Sequence, residues 1–146
     1  KYGPIENVSS ANGELKLHVD AGEEVLLKAT NLAAGGLTQG QSITVKFDYK
    51  AVVADGSVGE VVYLHLFYEK TGGGASNEGS DILFSDTTPT NSMSWDTKTF
   101  EKELSSDVSG GVTLMLNAEW GRTTFCNLDA YFDNVSILVN PWLTFR

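Results

Sequence analysis

The sequence predicts an all-β protein, a jelly-roll sandwich of about eight antiparallel strands in two sheets. Two observations support this fold class. Apolar and polar residues alternate with a period of two in short segments, and Gly, Asn, Asp and Ser separate those segments. Few windows carry the three-to-four-residue spacing and the caps of a helix. The 146 residues fit one domain and suffice for a core without disulfides.

The alternation assigns the strands in order. In residues 42–52 it places Ile43, Val45 and Phe47 inward and Thr44 and Lys46 outward. We expect one module over residues 1–139, followed by a tail or the start of a linker over 140–146. The predicted strands are residues 14–20, 24–30, 42–52, 60–70, 82–85, 97–104, 112–120 and 130–139.

Charge excludes several classes of partner. The net charge is −9, whereas nucleic acids and anionic membrane surfaces are bound by clustered Lys and Arg. No apolar run approaches the roughly 20 residues that cross a bilayer. We therefore expect no nucleic-acid partner and no membrane partner. The only arginines are Arg122 and Arg146, and this scarcity favours a neutral ligand over a polyanion.

The single cysteine, Cys126, cannot form a disulfide within the chain. We interpret it as a small buried apolar residue. A catalytic thiol would need a neighbouring base, and only His18 and His65 are available.

Two predicted strands, 60–70 and 112–120, have outward faces that mix aromatic and hydrogen-bonding side chains. A merely solvated face would consist mostly of Lys, Glu, Thr and Ser. The mixture suits a sugar, whose C–H face stacks on an aromatic ring while its hydroxyls need donors and acceptors. In the alternative reading, a loop covers Tyr63, Phe67 and Met115, which then form a minor second core. The candidate ligand-binding residues are Tyr63, His65, Phe67, Glu69, Asn117, Glu119 and Trp120.

The three tryptophans receive different interpretations. Trp95 precedes an alternating segment, so we expect a core position for it. Trp120 ends a strand beside Gly121, where either a sugar platform or a packing role fits. Trp142 lies in the tail and receives no role.

Three segments resemble the jelly-roll carbohydrate-binding modules grouped around families 4, 9, 16 and 22. The run YFDNVSI at 131–137 resembles their terminal strand. The run GQSITVKFDYKA at 40–51 resembles their G-x-x-Y-x-V-x-F-x-x-K-A strand, and SWDTKTF at 94–100 resembles their x-W-x-x-x-x-F segment. The resemblance spans most of residues 14–139.

The resemblance implies a structural Ca²⁺, held by hard oxygen ligands. Asp133 is implied as one ligand, together with an acidic residue near the N-terminus and backbone carbonyls. Glu6 is the candidate for that second acid, although the chain lacks the G-F-E start of these modules.

The resemblance also implies a function. It predicts a non-catalytic, monomeric module that binds a polysaccharide or oligosaccharide and targets a catalytic domain in the same parent chain to its glycan. Such a protein is secreted or lies at the cell surface.

Two other classes stay open. Some jelly-roll polysaccharide lyases use a Tyr and a His, which Tyr63 and His65 would supply, but the Arg needed to neutralise a uronate is scarce. Glycoside hydrolysis needs two carboxylates, and Glu69 and Glu119 could face each other. An adhesion or spacer domain would share the sandwich but would hide Tyr63, Phe67 and Trp120 instead of exposing them in one concave patch.

Overall fold

The computed structural model describes residues 8–11, 13–72, 79–120 and 125–140. For 8–11 and Trp120 it describes the backbone only. Every regular element in these ranges is a β-strand. The strands are β1 (Val8–Ala11), β2 (Glu14–Asp20), β3 (Glu24–Leu32), β4 (Ser42–Val53), β5 (Glu60–Tyr68), β6 (Ser80–Asp86), β7 (Asp96–Glu103), β8 (Val112–Trp120) and β9 (Asn127–Val139).

The strands form two antiparallel sheets that pack face to face. The five-stranded sheet has the order β1-β2-β9-β4-β7, and the four-stranded sheet has the order β3-β8-β5-β6. Most neighbours in each sheet are distant in sequence, as in β2 against β9 and β3 against β8. The predicted β-sandwich is confirmed, and all eight predicted segments are strands. The structure adds the four-residue strand β1, which pairs with β2 at the edge of the five-stranded sheet.

The core lies between the two sheets, where the inward residues of each alternation meet. Phe47 is fully buried, and its ring lies 5.4 Å from the Phe84 ring and 5.8 Å from the Phe132 ring, between centroids. Cys126 is buried in this cluster, as predicted. Burial, with Glu60 nearby, raises the pKa of its thiol to about 12, so the thiol stays protonated.

A close backbone approach fixes three strands at one end of the four-stranded sheet. Gly111 precedes β8 with φ at 87°, and a Cβ atom on it would lie 2.3 Å from the carbonyl oxygen of Leu32. Only glycine fits there without displacing backbone. The same glycine accepts a hydrogen bond from the Glu69 amide, so the end of β5 is fixed beside β3 and β8.

Among the described residues, no helix has the length and apolar character that crossing a bilayer requires.

Candidate functional site

The outer surface of the four-stranded sheet carries a line of rings, Tyr63, His65 and Phe67, and is called here the aromatic face. All three rings project from β5, which lies inside the sheet between β8 and β6. The period of two puts them outside because Val62, Leu64 and Leu66 of the same strand fill the core. On β8 they lie opposite Asn117, Met115 and Thr113, respectively.

The rings lie at contact distance along the strand. The centroids of Tyr63 and His65 are 5.4 Å apart, with 57° between the ring planes. Those of His65 and Phe67 are 5.9 Å apart and almost parallel, at 12°. Phe67 is four positions after Tyr63, so the line is roughly 13 Å long. A sugar chain laid along β5 would meet one aromatic surface after another.

The line is open at one end and covered at the other. Phe67 is only 9% exposed, and the Lys28 ammonium lies 5.4 Å from its ring centroid. Tyr63 and His65 are half-buried, with part of each ring in solvent. The surface offered to a ligand therefore centres on Tyr63 and His65.

Two carboxylates lie beside the open end. Glu24 of β3 and Glu119 of β8 are direct cross-strand partners. Burial and the Glu24 charge raise the pKa of Glu119, against a hydrogen bond from the Tyr63 hydroxyl that lowers it. Burial and the Glu119 charge also raise the pKa of Tyr63, so that hydroxyl stays protonated and donates. This arrangement offers hydrogen-bond acceptors to hydroxyl groups and disfavours an anion at the open end of the face.

Two polar side chains of this face, Asn117 and His65, have different surroundings. Asn117 is 2% exposed, and its amide nitrogen donates to Glu24 Oε1 at 2.9 Å, so it orients that carboxylate. Burial lowers the pKa of His65, so its imidazole is neutral near pH 7 and offers one donor and one acceptor.

The covered end contains a buried carboxylate. Glu69 is 1% exposed, and its Oε1 accepts a hydrogen bond of 2.6 Å from the Thr113 hydroxyl. Its Oε2 has no hydrogen-bond partner among the described residues. In this conformation Glu69 is closed off from a ligand on the face.

The seven predicted ligand-binding residues are thus distributed unevenly. Tyr63, His65 and Glu119 lie together at the open end, and that they bind a ligand stays a prediction. The side chain of Trp120 lies outside the described residues. The idea that Glu69 and Glu119 face each other is wrong, because Glu119 pairs with Val61, eight residues before Glu69 on β5. That separation is roughly 26 Å, too far for a shared glycosidic bond.

Of the two predicted calcium ligands, only Asp133 lies among the described residues. Asp133 lies on β9 opposite Asp48, and its Oδ1 accepts a hydrogen bond of 2.7 Å from the Asn134 amide. Asp48 is engaged by Thr97 and by the Asn134 side chain. No group of three or more His, Cys, Asp or Glu residues is placed to hold a metal within the described ranges. Glu6 lies outside them, so the described residues alone do not make a site.

Sequence reasoning missed a second group of aromatic residues, on the outside of the five-stranded sheet. Trp95 belongs to that group: its ring centroid lies 6.5 Å from that of Tyr131 and 4.3 Å from the Lys50 ammonium. The core position expected for Trp95 is therefore wrong. Alternation within β7 does not assign a face to Trp95, because Trp95 precedes the strand. Its outer position follows from its contacts with Tyr131 and Lys50.

Comparison with known proteins supports the fold. No family model matches the sequence, and no curated protein matches it. A solved structure described as "CBM4 structure and function" has a TM-score of 0.53 and 16% identity, and the match covers 94% of this chain and 78% of that one. The chain therefore resembles this carbohydrate-binding module in its β-sandwich fold, as the sequence predicted.

Proposed function

We propose that this chain, which has the fold of a carbohydrate-binding module, binds a neutral glycan on its aromatic face. The single observation that carries the proposal is the open end of that face, where the half-buried Tyr63 and His65 rings lie beside Glu119. Apolar surface and hydrogen-bonding groups at one place are what a pyranose requires.

Binding would proceed by stacking and hydrogen bonding, without chemistry. The C–H face of a sugar stacks on Tyr63, whose ring is oriented by the hydrogen bond of its hydroxyl to Glu119. Sugar hydroxyls donate to Glu119 and Glu24 and exchange hydrogen bonds with neutral His65. Affinity is modest, since the face is shallow and each bound sugar unit loses conformational freedom.

The wider role follows from the fold resemblance. We propose that the module is monomeric, is secreted or exposed at the cell surface, and holds a catalytic domain of the same parent chain close to its glycan. Such tethering raises the effective concentration of substrate around the enzyme. In this proposal the module itself is not an enzyme.

A structural Ca²⁺ at Asp133, with Glu6 as second acid, belongs to the same proposal. Carboxylate oxygens are suitable donors, and a metal that binds only the folded state stabilises it. Melting the protein with Ca²⁺ and with EDTA tests this: we expect a lower melting temperature in EDTA for wild type and no such difference for Asp133→Asn. Equal melting of the wild type in both buffers would contradict it.

Affinity electrophoresis in gels that contain neutral or acidic polysaccharides tests the binding function. We expect one neutral polymer to retard the wild type and Tyr63→Ala to lose roughly tenfold in affinity, the effect of one lost aromatic contact with its hydrogen bond. Trp95→Ala, on the opposite sheet, is the matched control and should be retarded like wild type.

Three outcomes would overturn the proposal. Lack of retardation on every neutral polymer would favour the spacer domain. Equal retardation of Tyr63→Ala and wild type, with both folded by circular dichroism, would move the site off the aromatic face. Release of reducing ends, or a fall in viscosity of any polymer, would make the protein an enzyme.

A further inference from the structure

The outer surface of the five-stranded sheet carries a row of side chains in which lysines and aromatic rings alternate. Tyr131 of β9 lies in register between Lys16 of β2 and Lys50 of β4. Trp95 immediately precedes β7 and continues the row beyond Lys50. These four residues are called here the lysine–aromatic row. Three strand spacings make it roughly 14 Å long.

Lys50 occupies the centre of the row. Its ammonium lies 4.3 Å from the Trp95 ring centroid and 5.0 Å from the Tyr131 ring centroid. The two rings meet edge to face, 6.5 Å apart. Cation–π contacts of this kind hold an ammonium in place and leave its charge uncancelled.

Three nearby carboxylates, Asp86, Asp96 and Asp129, have partners other than Lys50. Asp86 accepts a hydrogen bond of 3.0 Å from the Tyr49 hydroxyl. Asp129 pairs with Lys16 at 3.1 Å and with His18 at 2.7 Å. Asp96 pairs with Lys98. Within the described part of the chain, Lys50 makes no ion pair. Lys50 is half-buried, and its ammonium lies against aromatic rings instead of a carboxylate.

A polar pocket of about 190 Å³ adjoins Lys50. Thr90, Ser92 and Ser94 line it, together with two carboxylates. Of these, Asp86 accepts a hydrogen bond from the Tyr49 hydroxyl, and Asp96 is paired with Lys98. Hydroxyl groups of this kind exchange hydrogen bonds with a polyhydroxylated ligand. Two aromatic rings, hydroxyl side chains and a cation that makes no ion pair with any described residue therefore lie close together, beside carboxylates that have other partners.

We propose that the lysine–aromatic row is a second saccharide site, which takes an acidic sugar. The sugar ring stacks on Trp95 or Tyr131, and its carboxylate or sulfate binds the Lys50 ammonium. This goes beyond the proposed function, because the site uses the other sheet and a ligand of opposite preference. The acidic pair Glu24 and Glu119 disfavours such a ligand on the aromatic face, whereas Lys50 favours it here.

Isothermal titration of the intact chain with trigalacturonate, a sulfated galactotriose and neutral galactotriose tests the site. We expect at least one acidic sugar to bind roughly tenfold more tightly than the neutral one, and its Kd to rise with NaCl. Lys50→Gln should lose that roughly tenfold preference, and Lys50→Arg should keep most of it. The uronate and sulfate arms decide which anion is used.

Tyr63→Ala is the matched control and should bind the acidic sugar like wild type. Quenching of tryptophan fluorescence by that sugar should disappear in Trp95→Phe, a variant that preserves an apolar ring and hence the fold. Three outcomes would overturn the proposal: binding of neither acidic sugar, equal binding of the neutral sugar, or full acidic-sugar binding by Lys50→Gln. Loss of binding in Tyr63→Ala alone would instead place the acidic sugar on the aromatic face.

Discussion

The two outer faces of the sandwich are built by the same alternation and differ in their electrostatics. The aromatic face carries an acidic pair at one end and a neutral His65 in the middle. At the other end lie the Lys28 ammonium and a buried carboxylate. The outer face of the five-stranded sheet is ionic, with Lys16, His18 and Asp129 in one chain of contacts.

The pKa shifts of His18 and His65 show this electrostatic difference between the faces. Burial lowers the pKa of His65, which has no charged partner to oppose it among the causes that act there. Burial would also lower the pKa of His18, but hydrogen bonds to Asp129 and Asp20 outweigh it and raise that pKa. A face with few compensating charges keeps its groups neutral and suits a neutral ligand, while a face of paired charges suits a ligand that brings a charge.

The largest effect is expected from a substitution in the core, against which both sheets pack. Phe47→Ala deletes a fully buried ring that contacts Phe84, Phe100 and Phe132. We expect the free energy of unfolding to fall by about 3–5 kcal/mol. Urea denaturation measures this fall. A loss under 1 kcal/mol would mean that the core between the sheets is not packed as described.

A smaller effect is expected at the covered end of the aromatic face. Thr113→Val removes the hydroxyl that donates to buried Glu69 while conserving side-chain shape, so we expect a loss of about 1–3 kcal/mol in unfolding free energy. Thr99→Val is the matched control on the exposed outer surface of β7 and should stay within about 0.5 kcal/mol of wild type. Equal losses in both variants would show that the covered end of the aromatic face is solvated.

The smallest expected effect is the opposite pH dependence of the two histidines. His18 has a raised pKa, so its contribution to stability is complete below the unfolded pKa of about 6.5 and is lost as pH rises through the folded pKa. His65 has a lowered pKa, so stability falls as pH drops from about 6.5 towards its folded pKa.

Melting temperatures measured between pH 5 and pH 8 test the pH dependence expected for both histidines. Relative to wild type, His65→Gln should be least destabilised at pH 5 and His18→Gln should be most destabilised there. Parallel curves for the two variants would contradict the electrostatic contrast between the faces.

Local pattern predicted the strands well, since a period of two specifies which side chains face the core. It did not reveal β1, whose four residues, Val8–Ala11, are too few to show an alternation. The alternation of 112–120 also identified Asn117 and Glu119 as outward residues, but their different burial depends on neighbours in β3 that the strand itself does not specify.

The sequence pattern did not predict which distant strands pair with each other. The lysine–aromatic row exists because β9 enters the sheet between β2 and β4, which brings Tyr131 beside Lys16 across more than a hundred residues. Nothing local encodes that register. The position of Trp95 was not encoded locally either, because Trp95 precedes β7 and its contacts are with Tyr131 of β9 and Lys50 of β4.

The most direct test of the central claim is a ¹⁵N–¹H NMR titration of the wild type with the neutral oligosaccharide that corresponds to the retarding polymer. The account predicts the largest amide shifts in β5 and β8, around Tyr63, His65 and Glu119, with little change in β2, β4 and β9. Shifts concentrated around Lys16, Lys50 and Tyr131 would contradict it, since the neutral glycan would then lie on the wrong sheet.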